Sequence, residues 1–225
     1  MLRWPRRAVK PADNGWPAAR APGSVAAMAD TAAPPARDLS GVMLSTGRLV
    51  LTAPSAADTA TVYEICQDPQ IQAWTMVPSP YEYEHARRFI EQAVPAGAAA
   101  GTDVVFGVYH AVEGRLLGMI GLHGITGPED KHGARAEVGY WTAPYARRQG
   151  YTAEALRAVC RWGLAELGLQ RIEWIAFAGN DASRQLALKA GFTIEGRLRS
   201  RMVHRGKRTD IWIGSLIPGD TIPAA

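Results

Sequence analysis

The sequence predicts an α+β domain of three layers, in which helices cover both faces of a mixed β-sheet of about seven strands. Strand-like segments follow one another without an intervening helix in two regions, so the sheet is not expected to be wholly parallel. An amphipathic helix of about four turns begins near Tyr151 and joins two strand-like segments, which predicts that those strands run parallel. Two long strand-like segments about Arg205-Gly206 close the chain and predict a hairpin.

The N-terminal half of the domain is predicted to hold one strand followed by two helices. The alternation of Arg48–Thr52 is typical of a strand. A capping-box pattern over Ser55–Asp58 opens the first helix, and Asp68-Pro69 is expected to end it. An apolar stripe at helical spacing over Glu84–Val94 predicts the second helix. Between the two helices, the aromatic-rich segment Ile71–Tyr83 predicts a loop or a broken helix.

The remaining elements are predicted to build the centre and the far edge of the sheet. A short helix over residues 181–190 is capped by Asn180 or Asp181 and stopped by Gly191. The predicted strands are Val104–Tyr109, Leu116–Ile125, Glu137–Thr142, Arg171–Phe177, Phe192–Val203 and Lys207–Ile217.

A short basic loop, Arg147 to Thr152, joins the strand Glu137–Thr142 to the long helix. The first N–H groups of a helix lack internal partners, and the helix dipole places positive potential there. Gly150 removes the Cβ that would keep an anion away, while Arg147 and Arg148 add fork-shaped donors. The loop is therefore predicted to bind a diphosphate. It matches neither the P-loop pattern nor the dinucleotide-binding pattern of glycines.

Two segments carry a resemblance to a known family. Arg147, Gly150 and Thr152 occupy the three positions of (Q/R)-x-x-G-x-(G/A), the acyl-CoA loop of the GNAT superfamily of N-acetyltransferases, with Thr152 in place of Gly or Ala. Downstream, residues 180–183 and 191–196 resemble the N-x-x-S and GF-x-x-EG run of the RimJ/RimL branch, whose best-known members acetylate N-terminal amines of ribosomal proteins. The resemblance covers roughly residues 46–217 and implies the GNAT fold.

The resemblance also implies acetyl-CoA as a co-substrate and assigns residues to it. The pantetheine arm is expected in a gap between two strand ends, Trp141-Thr142 and Phe177-Ala178, where a strand N–H near Trp141 polarises the thioester carbonyl. The implied cofactor-binding residues are Trp141, Thr142, Arg147, Arg148, Gln149, Gly150, Tyr151, Thr152 and Asn180.

Glu137 is the candidate general base, because acyl transfer to an amine requires the amine to be neutral. It is a carboxylate on a strand that otherwise has a core pattern, close to the expected acyl site. The alternative is a structural ion pair with Arg135 or Arg171. In that case a water, or a side chain such as Glu82, is the expected base.

Ser183 is the candidate acid that protonates the leaving thiolate. Many GNAT branches carry a tyrosine acid five residues before the phenylalanine of the GF pair, and here that position is Ala187. Ser183 is the expected substitute, with plain helix capping as the alternative. Asn180 is expected to orient CoA or a water rather than to transfer a proton.

The acceptor is expected to be an amine of low pKa. At pH 7 an α-amine is roughly 15% neutral and a lysine roughly 0.04%, because their pKa values are about 7.7–8.0 and about 10.4. A protein N-terminus or a small amine, including an antibiotic, therefore fits best. The resemblance implies Trp74, Tyr81 and Tyr83 as one wall of the acceptor site, and plain packing over the sheet is the alternative. A non-catalytic acyl-CoA-binding module and an enzyme that uses a longer donor, such as succinyl-CoA, are the competing functions.

Charge and composition argue against several other partners. The formal net charge is +4, but residues 1–41 carry six basic and three acidic side chains and the rest is nearly neutral, so nucleic-acid binding is not expected. No apolar run is long enough to span a membrane. The five histidines show no metal-ligand spacing, so no metal is expected. Cys66 and Cys160 lie in apolar patterns and are expected to fill the core of a cytoplasmic protein. A homodimer is left open.

Residues 1–41 form a compositionally distinct segment ahead of a single domain over residues 42–225. They are rich in Ala, Pro and Arg without hydrophobic periodicity, which predicts a disordered tail. They contain no apolar stretch typical of a secretory signal. Met28 and Met43 are alternatives to Met1 as the translation start, and a start at Met43 would remove the tail.

Overall fold

The structure is a computed structural model that describes residues 37–224. Its centre is an eight-stranded sheet in the order β1-β2-β3-β4-β5-β6-β8-β7. Neighbouring strands pair antiparallel except β5 and β6, which pair parallel. The strands are β1 (Leu44–Ser45), β2 (Leu49–Thr52), β3 (Val104–His110), β4 (Leu116–His123), β5 (Arg135–Thr142), β6 (Arg171–Phe177), β7 (Thr193–His204) and β8 (Lys207–Leu216). The predicted mixed sheet is confirmed, and the additional strand is β1, whose two residues are too few to produce an alternation pattern.

Helices cover both faces of this sheet. They are α1 (Thr59–Ile65), α2 (Pro69–Trp74), α3 (Tyr83–Arg88), α4 (Val94–Ala100), α5 (Tyr151–Ala165) and α6 (Asp181–Lys189). On β3, the ring of Phe106 meets Trp162 of α5 edge-on, whereas Tyr109 points the other way and donates to Asp58 before α1. Because alternate residues of a strand face opposite sides, α5 and α1 lie on opposite faces, as the three-layer prediction requires.

Two predicted helix boundaries differ from the structure. Asp68 does not simply end a helix, since its carboxylate accepts from the N–H groups of Gln70 and Ile71 at 2.9 and 3.0 Å and caps α2. Pro69 occupies the first position of α2, where its missing N–H costs nothing. The helix predicted over residues 84–94 continues through a π-helical turn at Phe89–Ala93 into α4.

The strands β5 and β6 separate at their C-terminal ends. Residues Arg135–Val138 pair with Arg171–Trp174, and the pairing stops there although the strands continue to Thr142 and Phe177. Each strand keeps its other neighbour over this stretch, since β5 pairs with β4 and β6 with β8. The separation leaves a gap in the middle of the sheet.

The segment before β1 packs against the domain. Leu39 is buried and its N–H donates to the carbonyl of Ala98 at 2.9 Å, and the guanidinium of Arg37 donates to the carbonyl of Glu166. The expected boundary at residue 42 therefore falls after the start of the packed chain. The disordered tail was predicted over residues 1–41, and residues 1–36 of that segment lie outside the described residues.

Three expectations from the sequence concern the cysteines, metal binding and membrane spans. Cys66 and Cys160 are free and buried, as predicted for core residues. Within residues 37–224 no cluster of His, Cys, Asp and Glu could hold a metal ion. No helix in the same range is both long and apolar enough to cross a membrane.

Candidate active site

A cleft of about 830 Å³ opens where β5 and β6 separate. Its walls come from α2 and the segment after it, from β5 and the loop that follows, from β6, and from the start of α6. Ten sequence-predicted site residues line it together: Trp74, Glu137, Trp141, Thr142, Arg147, Arg148, Gly150, Thr152, Asn180 and Ser183.

Backbone donors of β5 face the gap. The N–H of Ala143 donates to Leu117 on β4 at 2.9 Å, and N–H groups of successive strand residues point to alternate sides. The N–H groups of Thr142 and Tyr140 therefore point toward β6, in the region where the two strands no longer pair. The donor predicted near Trp141 thus belongs to its neighbours Tyr140 and Thr142, although Trp141 also lines the cleft.

The loop between β5 and α5 presents the helix N-terminus to one end of the cleft. Gly150 has φ +83° and precedes the helix, and Arg148 has φ +62°. The first helical bond runs from Glu154 N–H to Gly150 O at 3.1 Å, so the three N–H groups before Glu154 precede the helical pattern. The hydroxyls of Thr142 and Thr152 lie 2.5 Å apart, so Thr152 links the start of α5 to the end of β5.

Arg147 is held by an ion pair rather than extended toward solvent. Its guanidinium donates to the carboxylate of Asp68, with the shorter contact at 2.7 Å. Partial burial acts to raise the pKa of Asp68, but the hydrogen bond from Arg147 and the bonds from backbone N–H groups outweigh it and lower the pKa. The pair fixes the loop against the N-terminus of α2.

A second arginine, Arg48 on the segment before β2, fixes the opposite side of the loop. It pairs with the buried carboxylate of Glu154 at 2.7 Å, donates to Gln149 O at 3.1 Å and stacks over the ring of Tyr151. Burial acts to raise the pKa of Glu154, but hydrogen bonds from Thr46 and Arg48 keep it below its usual value. The side chains of Gln149 and Tyr151, predicted at the cofactor site, thus lie outside the cleft lining, and only their backbone belongs to the loop.

Ser183 belongs to a partly buried hydrogen-bonded cluster with Tyr140 and Trp174. Its Oγ lies 3.0 Å from the Tyr140 hydroxyl, and the indole N–H of Trp174 donates to both oxygens at 3.1 Å. Its backbone N–H donates to Asn180 Oδ1 at 3.1 Å, so Asn180 rather than Ser183 caps α6. Burial raises the pKa of Tyr140 to about 12, so its phenol stays protonated at neutral pH.

Glu137 stands apart from the arginines that were its alternative partners. Arg135 and Arg171 approach Glu173 instead, at 3.8 and 2.8 Å. Among the ion pairs of the described residues none includes Glu137. Desolvation raises the pKa of Glu137, the nearby His123 opposes this, and Glu173 adds to it. A carboxylate with these properties suits proton transfer better than structural pairing.

Only one of the three predicted acceptor-wall residues lies in the cleft. The ring of Trp74 faces Gly179, whose Cβ position would lie 3.5 Å from it, so the indole spans toward the loop before α6. Tyr81 is buried beside Cys66 in the core, and Tyr83 is half exposed and packs edge-on against Tyr63. The prediction for Tyr81 and Tyr83 is corrected because this aromatic segment turns back onto α1.

The tip of the β7–β8 hairpin bonds to the segment that follows α2. His204 stacks on Phe177 with ring centroids 4.4 Å apart, and its Nε2 lies 3.2 Å from Thr75 O. Arg205 donates to the carbonyls of Gln72 and Val77. We call these contacts the tip bridge, because they join the β7–β8 hairpin, whose Met202 lines the cleft, to α2 and the segment after it.

Sequence reasoning missed four residues around the site. Tyr140 and Trp174 were assigned only to strand patterns, although each faces α6. Asp68 was interpreted only as a helix end, and His123 only as one scattered histidine. The single available signal was the alternation of β5, which places Tyr140 on the face of the strand opposite Glu137.

Comparisons with known proteins agree with this architecture. A family model described as an acetyltransferase (GNAT) domain matches residues 48–193. An uncharacterized N-acetyltransferase of Bacillus subtilis (strain 168), YoaA, is 30% identical over 175 residues, which are 78% of this chain and 96% of that protein.

Two solved structures have a similar fold. One is a putative ribosomal-protein-serine acetyltransferase from Vibrio cholerae, with a TM-score of 0.69 and 26% identity, covering 79% of this chain and 98% of that chain. The other is RimL, a ribosomal alpha-N-protein acetyltransferase solved in complex with coenzyme A, with a TM-score of 0.70 and 18% identity, covering 78% of this chain and 98% of that one.

Proposed function

The chain belongs to the GNAT acetyltransferase family, and from this premise we propose that it transfers an acetyl group from acetyl-CoA to a protein N-terminal α-amine. The observation that carries the proposal is the arrangement of the cleft. Anion-binding N–H groups at the start of α5 and an unpaired carboxylate, Glu137, line one continuous space through the gap between β5 and β6.

Acetyl-CoA fits the cleft by the chemistry of its parts. The diphosphate would lie on the N–H groups at the start of α5, beside Arg148, which is exposed. The pantetheine amides would bond to the free strand edges in the gap. The thioester carbonyl would accept from an N–H of β5, at Tyr140 or Thr142, which stabilises the oxyanion that develops on attack.

The proton transfers are assigned to the two sides of the cleft. Glu137 accepts a proton from the acceptor ammonium, and the neutral amine attacks the thioester carbonyl. As the C–S bond breaks, the Ser183 hydroxyl donates to the thiolate. The indole N–H of Trp174 donates to a lone pair on each hydroxyl oxygen. Tyr140 can therefore donate its hydrogen to Ser183, which leaves the Ser183 hydrogen to point into the cleft.

An α-amine is the favoured acceptor because its pKa is low and because the names of two proteins of similar fold point to ribosomal proteins. The name of RimL states alpha-N-protein acetylation of ribosomal L7/L12, and the Vibrio cholerae protein is named a putative ribosomal-protein-serine acetyltransferase. A single carboxylate suits an α-amine of pKa about 7.7–8.0 better than a lysine of pKa about 10.4. Trp74 and the indole of Trp141 supply apolar surface for the first side chain of the acceptor.

A cytoplasmic location is part of the proposal, supported by two free thiols of the kind that is common in reducing compartments. A homodimer is likewise proposed through β7, the edge strand of the sheet, which exposes Leu198 and Val203. Light scattering on the purified chain measures this directly, and a monomeric mass at micromolar concentration would remove the dimer from the proposal.

The decisive assay follows free thiol released from acetyl-CoA. Matched peptides would carry a free N-terminus, an acetylated N-terminus with an internal lysine, or neither, beside a panel of small amines. We expect turnover on the first peptide alone. Turnover on small amines only would mean that the acceptor is a small amine rather than a protein N-terminus. CoA binding without turnover on any amine would favour a binding module. A parallel run with succinyl-CoA tests the longer donor.

A further inference from the structure

The hairpin of β7 and β8 carries a run of positive charge that has no part in the steps above. Residues 199–208 hold five basic side chains and no acidic one. All five are exposed, and the ion pairs of the described residues include none of them. The next acidic side chain along β8, Asp210, pairs with Arg197 at 2.7 Å. We call this set the basic strip: Arg199, Arg201, Arg205, Lys207 and Arg208.

The tip bridge holds one face of the basic strip at the rim of the cleft. Met202 lines the cleft, and His204 on the same face of β7 reaches the carbonyl of Thr75, another lining residue. Lys207 is the strand partner of His204, so these two side chains stand on the same face of the hairpin. Arg205 lies in the turn and donates to two backbone carbonyls of α2 and the segment after it.

The wall that the tip bridge reaches carries no charge of its own. Residues 69–80, which form α2 and the segment after it, contain no acidic and no basic side chain. Trp74 and Met76 of this stretch line the cleft with apolar surface. Asp68, just before α2, is paired with Arg147. An acceptor that passes this rim would therefore meet an uncharged wall on one side and positive potential on the other.

The basic strip and the proposed diphosphate site lie on opposite faces of the sheet. Trp174 shares a face with Thr142, whose hydroxyl meets the start of α5. Phe177 comes three residues after Trp174 and points to the other face, where His204 stacks on it. Lys207 stands beside His204 and so on this second face. The proposed dimer would pair the main-chain edge of β7, and strand side chains point away from that edge.

The spacing of the strands gives the part of an acceptor that would reach Lys207. Phe177 at the end of β6 pairs with Ile211, and Lys207 lies four residues farther along β8 toward the tip. At ~3.3 Å per residue this is about 13 Å beyond the end of β6. The acyl group is proposed in the gap beside this end, so an extended acceptor would bring about its fourth to sixth residues to Lys207.

We propose that the basic strip selects acceptor chains that are acidic at about their fourth to sixth residues, with Arg205 and Lys207 nearest to these carboxylates. The inference rests on the proposed function, because it needs a protein N-terminus in the cleft. Exposed charges at a rim act mainly on the approach of a partner, so the strip should raise kcat/KM rather than kcat. A polypeptide fits better than nucleic acid, since the large apolar side chains that β7 exposes are Leu198 and Val203, which offer bases no ring for stacking.

Peptides that differ only at their fourth to sixth residues test the strip. Three peptides carry glutamate, glutamine or lysine there, and kcat/KM is measured for each with saturating acetyl-CoA. We expect the glutamate peptide to exceed the glutamine peptide about tenfold at ~0.05 M salt, and most of this difference to vanish at ~0.5 M salt. The measured quantity is the ratio between the two peptides, so a general loss of activity in a variant cancels.

Variants assign the ratio to the hairpin. Lys207→Gln should lower the ratio about threefold, because it removes one exposed charge beside the cleft, and Lys207→Glu should lower it further. Lys131→Gln is the matched control, since it removes an exposed charge from the loop before β5 and should keep the wild-type ratio. The KM for acetyl-CoA should be the same in all of them. A higher value in Lys207→Gln alone would assign the strip to the phosphates of CoA instead.

The outcomes separate this selection from the proposed function. Equal kcat/KM for the three peptides overturns the selection and leaves acetyl transfer to a protein N-terminus in place. A ratio that Lys207→Gln leaves at the wild-type value overturns the role of the strip. Equal peptide rates with binding of a single-stranded RNA oligonucleotide that Lys207→Gln weakens would assign the strip to nucleic acid. Turnover on none of the peptides removes the proposed function and this inference with it.

Discussion

The hydroxyl of Tyr140 on β5 lies 3.0 Å from the hydroxyl of Ser183 on α6, and Trp174 donates to both. The tyrosine that the sequence lacks at position 187 is thus supplied by a different element. The two hydroxyls share one hydrogen bond, which leaves one hydrogen free for the cleft.

Tyr140→Phe should lower kcat about tenfold, below the ~10²–10⁴ of a full acid–base contribution, without changing acetyl-CoA affinity, because it removes the donor behind Ser183. The free energy of unfolding should fall by about 1–2 kcal/mol, because the hydroxyl's bond with Ser183 and its bond from Trp174 are both lost. Tyr145→Phe is the matched control, since its hydroxyl donates to Leu116 O at 2.6 Å outside the cleft lining. Steady-state kinetics and thermal melts measure both, and equal kcat values in the two variants would contradict the assignment.

Ser183→Ala should lower turnover modestly and lower the melting temperature about as much as Tyr140→Phe, because it removes the bonds to Tyr140 and Trp174 while Asn180 keeps the helix cap. Combined with Tyr140→Phe, the double variant should be no slower than Ser183→Ala alone, since both act through one hydroxyl. If the loss of kcat in the double variant equals the product of the two single losses, the two residues act independently.

Glu137→Gln keeps the shape of the side chain and removes the base. We expect kcat at pH 7 to fall by roughly 10²–10⁴ and to recover as pH approaches the pKa of the amine. The raised pKa of Glu137 predicts an acidic limb in the wild-type profile above the usual glutamate range, and the variant should lack this limb.

Stability separates this role from a structural one. A carboxyl whose pKa is raised on folding destabilises the native state at every pH above both pKa values. Glu137→Gln should therefore melt at or above the wild-type temperature at pH 7. Glu173→Gln, which loses contacts to Arg171 and Arg135, should melt lower while keeping the acidic limb, which should move to lower pH because the charge of Glu173 adds to the pKa of Glu137. A lower melting temperature with a parallel, pH-independent loss of rate would remove Glu137 from the mechanism.

Gly150→Ala tests the anion site at the start of α5. A non-glycine residue at φ +83° costs roughly 1–2 kcal/mol, and the new Cβ would lie 3.3 Å from the Arg48 guanidinium that holds the loop, so the N–H groups at the start of α5 should shift. Gly168→Ala is the control, because Gly168 has φ +71° in open space beyond α5. Both should lose similar stability, but only Gly150→Ala should weaken acetyl-CoA binding in calorimetry, by about tenfold or about 1.4 kcal/mol. Equal affinities would place the cofactor elsewhere.

Asp68→Asn retains an acceptor for the α2 cap and removes the charge that holds Arg147. Because the pKa of Asp68 is lowered on folding, its contribution to stability is present above its unfolded pKa of about 3.9 and is lost as pH falls through the folded value. The variant should melt lower than wild type at pH 7, and the difference should shrink below about pH 4. A difference independent of pH would mean that the ion pair contributes nothing.

The elements and the position of the loop between β5 and α5 could be predicted from sequence because both depend on local patterns. The residues of the loop stand next to each other, and the helix they precede has a clear periodicity. The gap between β5 and β6 followed only from the family resemblance. Nothing in the alternation of β5 says where its pairing with β6 stops.

The residues that were missed or misplaced depend on contacts distant in the chain. Tyr140 meets Ser183 across 43 positions and Arg147 meets Asp68 across 79, and neither pair has a sequence signal. Tyr81 and Tyr83 were misplaced for the same reason, since a run of aromatic residues does not reveal which face of a turn each one occupies. Whether Arg135 and Arg171 pair with Glu137 or with Glu173 likewise depends on the direction of the side chains, which the sequence does not show.

The tip bridge fastens the β7–β8 hairpin to α2 and the segment after it, so His204 and Arg205 hold two elements beside the cleft together. If the acceptor approaches past these residues, we expect the fixed pair of elements to admit a slender chain terminus more easily than a lysine on the surface of a folded protein. Selection between the two acceptors would then depend on the width of the approaching segment as well as on the pKa of its amine.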